Sequence, residues 1–254
     1  PVHTIEAGDY NVFGGGQLHA VTMGDYCTIA GGGSHVINLP AGEDGATIGG
    51  GFDHTITARF ATVSGGNQNT VSGVGSAISG GRFNTASGTD CVVFGGNTNT
   101  DGGNLSSVAG GNLNTVTGTT SGGYAFIGGG LSNSIASGST SRFSAIAGGR
   151  SNVINAEYAS IFGGRDNSVT AEAGSATGYG AVANVPGMYS RAGGYFSTAG
   201  DAQASYVTMR HQTTDATPTE LRAGSALGNR LSLVNDSVYG FSILAVGRNT
   251  GGDE

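Results

Sequence analysis

Apolar residues in this chain come singly, each set between small residues and closed off by glycine. The stretch Thr70-Val71-Ser72-Gly73 is followed by Ala77-Ile78-Ser79-Gly80, and both have the form small-apolar-small-Gly. Alternation over three or four residues predicts a short strand with one inward side chain. The glycine after it supplies a tight corner with positive φ. Two such strands and two corners make one flattened coil, which buries its apolar residues only by stacking on copies of itself. A template I/V-x-G-G-x-x-N-T/S-V/I recurs with its first position at Val12, Ile29, Ile48, Val63, Ile78, Val93, Val108, Ile127, Ile146 and Ile161. Degenerate copies follow at Ala176 and Arg191. Most steps are fifteen residues, and several are lengthened by four. The pattern predicts an all-β fold: a parallel β-solenoid, or β-roll, of about 12 coils of ~15 residues each.

The files of the stack can be read separately. One aliphatic stripe runs from Ile29 to Ile161 at the template's first position. A second comprises Ile37, Ile56, Val71, Val116, Ile135, Ile154 and Val169. Two residues before the first stripe lie Cys27, Ala46, Ala61, Ser76, Cys91, Ser106, Ala125, Ser144 and Ala159, all small and all on the inward face. A core this thin gives little burial energy per coil at ~25 cal/mol per Å². It predicts association of several chains along the rod, and a homotrimer is the expected assembly.

Composition excludes the competing explanations for 50 glycines in 254 residues. Collagen needs a strict Gly-X-Y period with abundant proline, and only four prolines occur. Disorder needs few aliphatics and high net charge; here 37% of residues are hydrophobic and the net charge is −7. Lysine is absent, and the arginines form no basic stripe, so nucleic acid is not an expected partner. No apolar run reaches the ~18 residues of a membrane span, and the N-terminal residues show no signal-peptide pattern. The chain reads as a cut piece of something longer.

Among polar residues the asparagine file dominates: Asn69, Asn84, Asn99, Asn114, Asn133, Asn152 and Asn167. Such a file is expected to form a hydrogen-bonded ladder at the corner; the other reading is an ion site on a threefold axis. His35 and His54 occupy the same file. They are favoured as ladder members, and a transition-metal site is open to them only if the file faces the trimer axis. Cys27 and Cys91 lie four coils apart, ~19 Å, beyond the ~7 Å reach of a disulfide. No G-x-S-x-G, HExxH or CxxC motif is present. Neither an enzyme nor a cofactor is expected, although an active site shared between chains would escape this reading.

The S-A-I-x-G and N-T-V-S/T-G motifs of a repeat that covers roughly residues 8–200 resemble the left-handed parallel β-roll of YadA-like trimeric adhesin heads. This sequence differs in its double glycines, such as Gly65-Gly66, Gly80-Gly81 and Gly95-Gly96, and in the four-residue insertions. The last 54 residues have another composition, with a hairpin expected from 230–234 and 238–246 around Asn235-Asp236. That stretch, ending Gly247-Arg248-Asn249-Thr250-Gly251-Gly252-Asp253-Glu254, resembles the segment before the self-cleaving intramolecular chaperone of phage tail fibres and tailspikes. The expected domains are a lead-in at 1–9, the β-roll at 10–200, and a β-rich trimerisation or cap domain at 201–254.

The resemblances imply a virion structural protein, a trimeric tail fibre or receptor-binding protein that adsorbs to a host surface glycan or protein from an extracellular virion tail. The alternatives are a YadA-like adhesin head on a bacterial surface and an ice-binding solenoid. The last is prompted by Thr55, Thr70, Thr85, Thr100 and Thr115, a file interrupted further on and read as lacking paired T-x-T ranks. Recognition is expected on the insertion loops 38–45, 117–124 and 136–143, with Glu43, Asp44, Tyr124, Arg142 and Phe143. The same loops could instead pack on a neighbouring chain. Arg82, Arg150 and Arg165 share the position after the double glycine and, with Tyr195, are expected to form an exposed ridge. That ridge would suit acidic glycans or would serve only as solvated charge.

Overall fold

A computed structural model describes residues 3–6, 8–117, 123–136 and 142–209. The expected hairpin at 230–234 and 238–246, and most of the 201–254 region, lie outside the described residues. The described chain is all-β and winds as a parallel solenoid of about twelve coils. Successive strands alternate between two sheets: Thr70–Val71 lies in the first sheet, Ala77–Ile78 in the second, and Thr85–Ala86 in the first again. Most strands are two residues long, one residue facing out and the next facing in. Among the described residues no helix is long and apolar enough to cross a membrane.

Register is strict, because a one-residue slip would turn every inward side chain to solvent. Val63, Ile78, Val93 and Val108 align in the second sheet; Val71, Ala86, Asp101 and Val116 align in the first. Both aliphatic stripes and the small-residue file expected from the sequence are buried. The template needs correction at its two ends. Phe13, not Val12, pairs with Ile29, and Ser190, not Arg191, pairs with Ala176. The first rung, Thr4–Ile5 on Ala20–Val21, already lies within the expected lead-in.

The second glycine of each double glycine has a physical explanation. The second glycine of each pair, such as Gly81 at φ 80° and Gly96 at φ 87°, is left-handed. A Cβ there would collide with the carbonyl oxygen of the next coil's glycine and with the asparagine side chain of its own coil. The first glycine of the pair, as at Gly65, Gly80 and Gly95, faces open space.

The parallel stack ends at Gln203–Tyr206, which runs antiparallel to Tyr189–Gly193. Asp201 fixes the preceding turn by accepting from the backbone N–H groups of Phe196, Ser197 and Thr198. These bonds, that from Thr198 foremost, hold its carboxyl below the ordinary range. The Gln203 amide then pairs with Val182, accepting from its N–H at 2.7 Å and donating to its C=O at 2.8 Å. One side chain thus satisfies part of the last open edge of the first sheet.

Candidate functional site

The polar file is internal. Asn69, Asn84, Asn99, Asn114, Asn133, Asn152 and Asn167 are all buried. Each side-chain oxygen accepts the backbone N–H of its counterpart one coil on, as from Asn84 to Asn69 at 2.9 Å and from Asn99 to Asn84 at 2.9 Å. Each side-chain nitrogen donates to glycine carbonyls of its own and the next coil, as Asn99 does to Gly95 and Gly111. The ladder expected from the sequence is therefore present, and it connects coils within one chain.

His35 and His54 continue that ladder, joined by His19, which sequence reasoning missed because the first repeat was registered one residue early. The imidazole Nδ1 replaces the asparagine oxygen: His54 N–H donates to His35 Nδ1 at 3.2 Å, and Asn69 N–H to His54 Nδ1 at 3.1 Å. Rings of His19, His35 and His54 stack at centroid distances of 5.0 Å. Burial lowers all three pKa values, that of His35 to about 4, with the neighbouring imidazoles adding to the effect there. These rings are neutral at pH 7. The condition for a metal is not met: the file faces the coil interior, and the in-plane lone pairs of parallel rings cannot converge on one ion. Among the described residues no cluster of three His, Cys, Asp or Glu side chains could hold a metal.

A second missed residue is Asp101, which occupies the aliphatic file between Ala86 and Val116 and is fully buried. Its Oδ1 accepts from Ser106 Oγ and from Gly103 N–H, the latter at 3.2 Å, while Oδ2 has no partner. Burial raises its pKa to about 6. The motif N-T-D where other repeats read N-T-V was the available signal. Cys27 and Cys91 are buried free thiols; burial raises both, Cys91 to about 11, which leaves them protonated.

Outward features concentrate on the corners. All three insertions fall on one corner, the passage from first-sheet to second-sheet strands: 36–38 to 47–48, 115–116 to 126–127, and 134–135 to 145–146. Residues 118–122 and 137–141 of these loops lie outside the described residues. On this corner a file of left-handed residues carries Tyr124, Phe143 and Tyr158, at φ 45°, 55° and 53°. Their rings stack at 5.1 and 5.4 Å, nearly parallel. Because each ring covers its neighbour's face, the ladder presents edges and hydroxyls outward. Left-handed backbone is costly for bulky L-residues, and stacking at ~0.5–1.5 kcal/mol per pair offsets part of that strain. Arg142 beside the ladder is paired with Glu157 at 3.1 Å.

The expected site residues do not converge. Tyr124, Arg142 and Phe143 are brought together. Glu43 and Asp44 share their corner about five rungs away, ~24 Å, and Glu43 lies 3.8 Å from Arg59. Arg82, Arg150 and Arg165 lie on the opposite corner, in the file Phe52–Asn67–Arg82–Asn97–Asn112–Leu131–Arg150–Arg165. Arg82 is four rungs from Arg150, ~19 Å, so no continuous ridge forms. Arg165 pairs with Asp166 at 3.4 Å and sits 3.9 Å over the ring of Tyr179, which in turn packs on Tyr195. The outward threonine file is present, and Thr57 and Thr117 also face outward beside Thr55 and Thr115, so two ranks are paired after all.

No family model matches this chain, and no curated protein does either. The solenoid fold and its two corners are therefore what constrain function.

Proposed function

We propose that this chain is one of three copies in an attachment fibre that adsorbs to a host-cell surface, to a glycan or protein, through the insertion-bearing corner. A single observation carries this reading: three insertions and the Tyr124–Phe143–Tyr158 ladder all fall on one corner of an otherwise uniform stack. A rigid scaffold with variable loops on one edge concentrates contact there, and exposed aromatic residues are enriched at recognition surfaces. The ring edges and tyrosine hydroxyls suit a protein surface or the rim of a sugar better than face-on stacking.

The test uses Tyr124→Asn, Phe143→Asn and Tyr158→Asn together. Asparagine tolerates the left-handed conformation, so the coil persists without the rings. Purified protein is applied to a glycan array and to a panel of bacterial cells. Binding at least tenfold weaker, with an unchanged melting temperature, is the expected outcome; wild-type adsorption by the triple variant refutes the assignment.

A further inference from the structure

Between Thr28 and Thr177 the outward face of the second sheet is built of small residues and Val92, with bulk added at intervals by Phe94, Phe126 and Phe162. These side chains are 57%, 42% and 65% exposed. They fall on every second rung, since the sheet runs Val92–Val93, Ser107–Val108, Phe126–Ile127, Ala145–Ile146, Ser160–Arg165. The Phe126 ring leans over Gly128, the position aligned with Phe94 and Phe162, so the three rings share one file. At a rung spacing of ~4.8 Å the rings stand ~10 Å apart. Three half-exposed rings of ~200 Å² each present roughly 300 Å² of apolar surface, comparable to the largest patch on an ordinary monomer.

The outward face of the first sheet is the complement. From Thr55 to Thr170 it carries no aromatic and no charged side chain. The positions just after its strands are Thr57, Ser72, Ser87, Gly102, Thr117, Ala136, Asn155 and Thr170. Gly102 and Ala136, which have nothing beyond Cβ, are also two rungs apart. Phe94 and Gly102 belong to one coil, and so do Phe126 and Ala136, because Thr100–Asp101 directly follows Val92–Val93 and Ser134–Ile135 directly follows Phe126–Ile127. Copies related by rotation about an axis along the rod carry equivalent coils at equal height. Knob and hollow therefore meet without sliding.

We propose that the second sheet of one copy packs on the first sheet of a second copy of this chain, with Phe94 and Phe126 seated over Gly102 and Ala136. This rests on the several-chain reading above and assigns its contact faces, leaving the insertion corner free for the host surface. Phe162 stands level with Thr170 and packs on its methyl group.

Cysteine pairing tests the register. Phe126→Cys with Ala136→Cys places two thiols on opposite sheets of one chain, so a disulfide between them forms only between chains; the native thiols are buried. The mismatched control, Phe126→Cys with Thr57→Cys, separates the thiols by about five rungs, ~24 Å, beyond disulfide reach. Mild oxidation is expected to give two- and three-chain species on a non-reducing gel for the matched pair and not for the control. Matched cross-linking no greater than the control overturns the pairing. Sedimentation of wild-type protein separates the two readings: a monomer removes both, while a multimer without matched cross-linking removes this pairing alone. Phe94→Ser, Phe126→Ser and Phe162→Ser together are expected to weaken association at least tenfold, and unchanged sedimentation counts against the proposal.

Discussion

Replacing Asp101 with asparagine isolates the electrostatic load of a carboxylate in an aliphatic file. The folded chain holds the Asp101 proton until about pH 6, whereas the ordinary carboxylate value is 3.8. Between those values the folded state binds more protons than the unfolded state, so stability falls as pH rises through the window and is level above it. A shift of roughly two units at 1.36 kcal/mol each is about 3 kcal/mol of lost stability at pH 7 relative to pH below 4. Asparagine keeps the acceptor for Gly103 N–H and Ser106 Oγ but does not ionise. Whatever fixed offset its unpaired amide introduces, the difference between variant and wild type should grow by about 3 kcal/mol from pH 4 to pH 7. In a solenoid this response is local, so hydrogen exchange of amides around residues 100–107, corrected for intrinsic rates, is the suitable assay. The expected gain in protection at pH 7 is on the order of a hundredfold above that at pH 4. Parallel pH profiles for the two proteins would refute the argument.

Two further outcomes follow from the interior file and the corners. His35 shifts the opposite way: its folded pKa of about 4 lies below the ordinary 6.5, so its contribution is complete above pH 6.5 and is lost as pH falls toward 4. The N-terminal coils should lose up to about 3 kcal/mol of local stability over that range through His35; His35→Asn, which restores the ladder residue, should remove this share of the acid sensitivity as read by exchange over residues 19–56 and leave the share of His19 and His54. Gly81→Ala should lower stability by more than about 2 kcal/mol through backbone strain and collision with the next coil, while Gly80→Ala, facing open space, should stay within about 0.5 kcal/mol; equal denaturation midpoints for these variants would contradict the account of the double glycine.

Much of the fold was legible because a stacked coil writes the same sentence repeatedly. Ile78 could be placed opposite Val63 and Val93 from spacing alone, and Asn84 opposite Asn69 and Asn99. The failures came where the repeat loses its markers. Val12 fits the template's first position in place of Phe13 because it is the aliphatic residue and Gly14-Gly15 follow it after one intervening residue. Arg191 was taken for Ser190 because the last coil has no asparagine to anchor it. Asp101 was passed over because pattern matching discounts the residue that breaks the pattern, although such a residue bears the largest desolvation cost. The site was less legible than the fold. Sequence distance along a coil does not announce which corner a loop belongs to, so nothing in the spacing marks Arg82 and Tyr124 as lying on opposite edges. Phe126 and Phe162 were invisible as a pair until Phe126 was seen to lean over Gly128.

The strict register of neighbouring coils makes the rod a ruler. Each asparagine of the interior file bonds to its counterpart on the neighbouring coil, and that contact repeats with the same chemistry from Asn69 to Asn152. Excising one whole fifteen-residue unit, such as 72–86, would remove one rung from each sheet and set Asn69 against Asn99 and Val63 against Val93. Length would change by about 4.8 Å while the asparagine ladder stayed continuous. Reach can thus be adjusted by counting units, independently of what the corner loops contact.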